Sequence, residues 1–144
     1  MNTVPGGNSR IVLIADDEWV VREMLSDKLT RAGYSVLLAH NGREALELAR
    51  VHRPGIVVLD WVMPEMDGLT TCRHLKADPA TNAIPIIVLT ARGQDSDREA
   101  GLAAGADLLL VKPVSLRVLL DHIRRLSGDG EEVYGVRQPN LDRG

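Results

Sequence analysis

Apolar residues follow two alternating patterns along this chain. Five short runs are apolar almost without a break: "RIVLIAD" (10–16), "YSVLLA" (34–39), "GIVVLD" (55–60), "IPIIVLTA" (84–91) and "DLLLVK" (107–112). Such runs predict strands buried on both faces, because a strand with one wet face would alternate apolar with polar residues. Between them lie stretches with helical spacing. "WVVREMLSDKLTRAG" (19–33) sets Val20, Met24, Leu25 and Leu29 on one face and stops at Gly33, a residue suited to the left-handed position past a helix end. "NGREALELARVH" (41–52) opens on Asn41 with Glu44 three residues on, a capping-box pair, and points Ala45, Leu46 and Leu48 inward. "LTTCRHLKA" (69–77) follows Gly68. "SDREAGLAAGA" (96–106) opens on Ser96 with Glu99, a second capping box, and ends at Gly105. "SLRVLLDHIRRL" (115–126) turns Leu116, Leu119, Leu120 and Ile123 inward. It carries Arg124 and Arg125 in its last turn, where the helix dipole favours cations.

Strands alternating with helices in this way predict an α/β fold: a three-layer α/β/α sandwich around a five-stranded parallel sheet, with right-handed crossovers. The strand order 2-1-3-4-5, the flavodoxin-like one, suits a domain of this size, although periodicity alone does not select it. Residues 1–9, which include Pro5, Gly6 and Gly7, read as a flexible lead. Residues 127–144 lose the periodicity and read as a polar tail. One domain, 10–126, lies between them.

Composition narrows the chemistry. Hydrophobic residues make up 44% of the chain but aromatic residues only 3%, with no Phe, so the core must be aliphatic. A net charge of -3 gives no electrostatic reason to expect nucleic-acid binding. No apolar run approaches the ~20 residues of a membrane span, and the start lacks the apolar middle of a signal peptide. A cytoplasmic protein is the expectation. The lone Cys72 leaves no intrachain disulfide and reads as a helix packing residue. His40, His52, His74 and His122 are scattered without ligand spacing.

The informative polar residues stand at strand ends. Asp16 and Asp17 close the first strand, Asp60 the third, Thr90 the fourth and Lys112 the fifth. These are carboxyl ends, the edge of an open parallel sheet at which ligands bind. Each residue alone has an ordinary reading: helix-start acids, a strand-to-loop carboxylate, a strand-end threonine, a solvated lysine. As a set they do not. If the first and third strands are neighbours, about 4.8 Å apart, three carboxylates crowd together, and a proton or a cation must join them. Oxygen-only ligands point to a hard cation, Mg²⁺ above all. A site with so few protein ligands leaves room for a phosphate oxygen, and Lys112 and Thr90 offer that same group a cation and a hydroxyl. Asp60 is then a candidate nucleophile toward phosphorus.

The motifs "LIADDE", "VVLDWVMPEMDG", "PIIVLTAR" and "GADLLLVKP" resemble, in the same order and over residues 10–126, the receiver domain of two-component response regulators. The resemblance implies that Asp60 is the phosphoacceptor. It implies that Asp17 binds the metal directly, Asp16 acts through water, and the backbone carbonyl of Val62 is the third protein ligand. Thr90 matches the hydroxyl that moves onto the phosphoryl group. Lys112 matches the lysine that pairs with it, ahead of a usually cis bond to Pro113. The implied donor is a phosphohistidine on a sensor histidine kinase or histidine phosphotransfer protein. The implied output is a downstream protein that reads the fourth helix, fifth strand and fifth helix, with homodimerisation as a further option. On this reading the chain is a signalling module rather than an enzyme, and it assists its own phosphorylation and dephosphorylation. The short tail 127–144 makes a stand-alone, chemotaxis-regulator-like receiver the expectation.

Departures from the family pattern sharpen the expectations. The usual Tyr or Phe three residues before the lysine is Leu109 here, so a different or weaker coupling is expected. The positions two beyond the phosphoacceptor and two beyond the threonine, which influence phosphoryl lifetime in the family, are Val62 and Arg92. Val62 has no side-chain group to orient water, which favours slow self-hydrolysis, and Arg92 is placed to contact the phosphoryl group or a partner. Trp19 and Trp61 flank the acids and read as partial shielding of the pocket. Two other classes compete. An FMN-binding flavodoxin-like protein would need a phosphate loop where "ADDEW" would repel one. An Asp-nucleophile phosphohydrolase would turn over phosphate esters with Mg²⁺.

Overall fold

A computed structural model describes residues 8–128; residues 1–7 and 129–144, which hold most of the expected lead and tail, lie outside the described residues. In chain order the elements are β1 (Asn8–Ala15), α1 (Trp19–Arg31), β2 (Ser35–Ala39), α2 (Gly42–His52), β3 (Pro54–Asp60), α3 (Gly68–Ala77), β4 (Ile86–Thr90), α4 (Asp95–Ala103), β5 (Leu108–Val111) and α5 (Leu116–Leu126). The strands form one parallel sheet in the order β2-β1-β3-β4-β5. The expected strand order is therefore the observed one. β1 starts at Asn8, inside the segment read as lead.

Strand alternation sorts the core into two layers. In β3, Val57 and Leu59 join a cluster with Ala45, Leu46 and Ala49 of α2, Leu69, Cys72 and Leu75 of α3, and Ala104 just past α4. Ile56 and Val58 join the opposite cluster, with Leu25 and Leu29 of α1 and Leu119 and Ile123 of α5. Every residue of β3 is buried, as expected for a central strand covered on both faces. Burying each Val, Leu or Ile in these layers contributes about 1.5–3 kcal/mol. The register aligns Leu59 with Val88 and Thr90 with Val111, so the carboxyl ends of β3, β4 and β5 come level at one edge of the sheet.

Local detail departs from the sequence reading in three places. On α1, Val20 and Met24 are exposed, not inward. The stripe that packs runs through Val21, Leu25 and Leu29 at intervals of four, which leaves Val20 and Met24 round the helix. On α2, Asn41 Oδ1 caps the Glu44 N–H at 2.8 Å as expected, but the Glu44 carboxylate accepts from the His40 N–H at 2.7 Å. With Asn41 extended, the N–H one residue earlier is the one that faces Glu44. The capping box expected at Ser96 does not form. α4 begins at Asp95 behind Gln94, with no side-chain cap, and Asp95 and Asp97 meet the positive end of the helix dipole. The left-handed turn expected at Gly33 is present, with φ of 101°, and Gly105, where the fourth helix was expected to end, is left-handed too, with φ of 106°. Among the described residues, no helix is long and apolar enough to cross a membrane.

Candidate metal and phosphoryl site

Asp60 is the last residue of β3 and is buried. Its place is set by the turn that follows. The Gly68 N–H donates to the Trp61 carbonyl at 2.8 Å, folding the start of α3 back onto the end of β3. A Cβ at Gly68 would stand 2.4 Å from the Asp60 carbonyl oxygen, so only glycine permits that approach. Asp67 Oδ1 caps α3 by accepting from the Thr70 N–H at 2.8 Å. Between them the Met66 N–H donates to the Pro64 carbonyl at 2.7 Å, with Glu65 at φ 68°.

Asp16 and Asp17 follow β1, which lies next to β3. One carboxylate oxygen from each of Asp16, Asp17 and Asp60 lies within 4.8 Å of the others. Asp16 is buried and Asp17 exposed. Asp16 Oδ1 accepts from the Glu18 N–H at 2.8 Å, whereas Oδ2 is buried and has no hydrogen-bond partner among the described residues. Burial pushes the Asp16 carboxyl above its ordinary value; the Glu18 N–H pulls it back and the neighbouring Asp60 pushes it further up. A buried lone pair without a donor, in a cluster of oxygens only, fits a hard divalent cation better than a proton shared in an apolar core.

Lys112 reaches this cluster from the far side of β4. Its Nζ donates to Asp60 Oδ2 at 3.1 Å and stands 3.9 Å from Asp16 Oδ2. Burial alone would lower Lys112, but the hydrogen bond and charge of Asp60, with Asp16 and Glu18, leave it raised. The Lys112 N–H donates to the Thr90 carbonyl at 2.7 Å, which ties the two strand ends together. The Lys112–Pro113 peptide is cis. Thr90 is buried, and its Oγ1 accepts from the Arg92 N–H at 3.1 Å.

The remaining sequence candidates fall around this centre. Val62 is 73% exposed, so a role at the acids would belong to its backbone. Leu109 is buried against Gly101 of α4. Arg92 is exposed and pairs with Asp97 at 3.6 Å. Of the two tryptophans, Trp61 packs against the core, whereas Trp19 is exposed. Arg22 escaped the sequence reading. It is buried on α1, and its Nη1 donates to the Asp16 carbonyl at 2.6 Å, bracing the acid loop from behind. Its signal was an arginine three residues before Leu25, on the side of the helix that turns inward.

Comparison with known proteins agrees with this geometry. The family described as "Response regulator receiver domain" matches residues 12–124. "Response regulator MprA" of Mycolicibacterium vanbaalenii is 50% identical over 115 residues, covering 80% of this chain and 49% of that protein. The chain thus spans about half the length of the curated relatives it matches. Among solved structures, the signal receiver domain of a histidine kinase from Syntrophus aciditrophicus superposes with a TM-score of 0.77 at 34% identity, covering 93% of this chain and 98% of that one. The receiver domain of sensor histidine kinase PA1611 from Pseudomonas aeruginosa, solved with a magnesium ion in its active site cleft, gives 0.76 at 30% identity over 83% of this chain and 98% of its own.

Proposed function

Because the chain belongs to the response-regulator receiver family of two-component signalling, we propose that Asp60 accepts a phosphoryl group from a phosphohistidine. The observation that carries the reading is the Lys112–Asp60 contact inside the three-carboxylate cluster. One carboxylate is singled out by an ammonium group that can follow the charge onto phosphorus.

The donor is a sensor histidine kinase or histidine phosphotransfer protein in the cytoplasm. An Asp60 oxygen attacks phosphorus in line with the P–N bond, and that bond breaks as imidazole leaves. Asp16, Asp17, Asp60 and the Val62 carbonyl would hold Mg²⁺, which supplies the positive charge that lets a carboxylate meet an anionic phosphoryl group. Lys112 passes from Asp60 to a phosphoryl oxygen. Thr90 releases the Arg92 N–H and donates its hydroxyl to another. Arg22 keeps the Asp16 loop in place through its carbonyl. The movement of Thr90 and Lys112 reaches α4, β5 and α5, the face through which a downstream protein or a second copy reads the state. Leu109 transmits it by packing rather than by turning a ring. Val62 leaves attacking water unguided, so the acyl phosphate is long-lived.

The test is an intact mass after incubation with Mg²⁺ and a small acyl phosphate. The expected result is one phosphoryl gain that Asp60→Asn abolishes. An equal gain in Asp60→Asn would overturn the assignment, and sustained turnover of phosphate esters would favour a phosphohydrolase.

A further inference from the structure

Arg92 connects the strand-end hydroxyl to α4. Its N–H donates to Thr90 Oγ1 at 3.1 Å, while its guanidinium lies 3.6 Å from Asp97 Oδ1 in the first turn of α4. Asp97 is an unusual acid for a helix start. It is only 9% exposed, and its Oδ2 is buried with no hydrogen-bond partner among the described residues. The helix dipole favours a negative charge there. A carboxylate this deep still costs free energy unless a cation or donors meet it. Arg92, with a side chain that is mostly exposed, supplies the cation. One arginine thus serves the hydroxyl with its backbone and the buried acid with its side chain.

We propose that Asp97 is a positioning residue: it holds the Arg92 guanidinium on α4 in the unphosphorylated chain, and transfer of that guanidinium to the phosphoryl group on Asp60 loosens the first turn of α4. The inference rests on the phosphoryl reading above. An aspartyl phosphate carries about -2 charge and offers oxygens for paired hydrogen bonds, against the single charge of Asp97. When the Thr90 hydroxyl turns to the phosphoryl group, the Arg92 N–H loses its acceptor in the same event. Both ties of Arg92 to the resting arrangement then fail together. Asp97 is left buried without its cation and gains by turning toward water, which draws the first turn with it. The far half of α4 is pinned. A Cβ at Gly101 would stand 3.0 Å from Leu109 Cδ1, so helix and strand are already in close contact there. The opening is therefore confined to the N-terminal half of α4, while beyond Gly101 the helix stays closed and shifts only through its packing on Leu109.

Amide exchange by mass spectrometry over residues 98–100, whose N–H groups close the first turn of α4 beginning with Arg98 to the Gln94 carbonyl, tests this, using the full chain with Mg²⁺, with and without a small acyl phosphate, and an intact mass on each sample. In the wild type, phosphorylation should speed exchange in this segment by roughly fivefold, the factor an ion pair of this exposure is worth. Asp97→Asn keeps the shape without the charge. It should still gain one phosphoryl group but exchange slowly in both states. Arg92→Gln should exchange fast before phosphorylation, and the double variant should behave like Asp97→Asn. If Asp97→Asn gains the phosphoryl group and its exchange still accelerates as in the wild type, the inference is overturned while the phosphoryl reading stands. If the wild type gains no mass, both are overturned.

Discussion

Lys112 Nζ donates to Asp60 Oδ2 at 3.1 Å although 52 positions separate the two residues and β4 lies between their strands. The contact exists because parallel strands bring their carboxyl ends to one edge, where a long side chain can cross a neighbour. The ammonium group therefore already lies against the carboxylate proposed to accept the phosphoryl group.

Lys112→Met keeps the apolar stem and removes that charge. Phosphoryl labelling from a small acyl phosphate should slow by about tenfold or more, because a charge aimed at the transferring group is lost. The pH dependence follows from the raised Lys112. A raised amine contributes stability in full below its ordinary value of 10.5 and loses it as pH climbs through the higher folded value. Urea titrations above pH 10 should show the wild type losing a contribution that Lys112→Met never had. Equal alkaline profiles would refute the coupling.

Asp16 follows the same sign, but its loss begins in the acid range. Its raised carboxyl favours folding when protonated, below the ordinary 3.8, and that contribution is lost as pH rises through the folded value. Once ionised, Asp16 therefore disfavours the metal-free fold. Asp16→Asn keeps the acceptor for the Glu18 N–H and removes the charge. It should raise the metal-free Tm by a few degrees, about 1 kcal/mol, and abolish the further rise on adding Mg²⁺. A lower metal-free Tm in the variant would count against this account.

Gly68→Ala should destabilise the fold despite the better helix propensity of alanine. The added Cβ would sit 2.4 Å from the Asp60 carbonyl and 3.0 Å from Trp61 Cα, so backbone must shift. The expected cost is about 1–3 kcal/mol by urea denaturation, with slower labelling of Asp60 because the end of β3 moves. Unchanged stability would show that the turn has slack.

Leu109→Ala removes a buried side chain that touches Gly101. A loss of about 2–5 kcal/mol is expected from the cavity. If Leu109 transmits the signal, two-dimensional NMR of the variant should show phosphorylation-linked shifts at Thr90 that no longer extend along α4. Shifts that spread as in the wild type would remove Leu109 from the switch.

Cys72 should be inert in the native chain. Burial pushes its thiol up to about 11, so almost no thiolate exists near neutral pH. Iodoacetamide labelling at pH 7.5 should be slower than in denaturant by about a hundredfold or more, read by intact mass. Fast labelling of the folded chain would mean that α3 opens readily.

Much of this was visible in the residues themselves. A strand buried on both faces must be apolar throughout, so β3 was legible as "GIVVLD", and the acids, hydroxyl and lysine stood out as polar residues closing such strands. Turn chemistry was legible at Gly33, Gly105 and Asn41, where one residue's own backbone preference decides the outcome. Helix phase was less so. Val20 and Met24 fit an apolar face by spacing, yet α1 packs through Val21, Leu25 and Leu29. A few tens of degrees of rotation cost nothing locally and are chosen by the neighbouring helix and sheet.

The alternation of strands and helices, the aliphatic core and the kinds of group at the strand ends were set locally, because these depend on period and side-chain chemistry within a few residues. Which distant partners meet was settled by the packing of the whole domain: Lys112 with Asp60, Arg22 with the Asp16 carbonyl, Arg92 with Asp97, Leu109 with Gly101. A hydrogen bond needs donor and acceptor aligned at about 3 Å, and an ion pair near solvent is screened unless its charges come close. Their formation hangs on register, helix rotation and strand order, none of which is written in any single stretch of the chain.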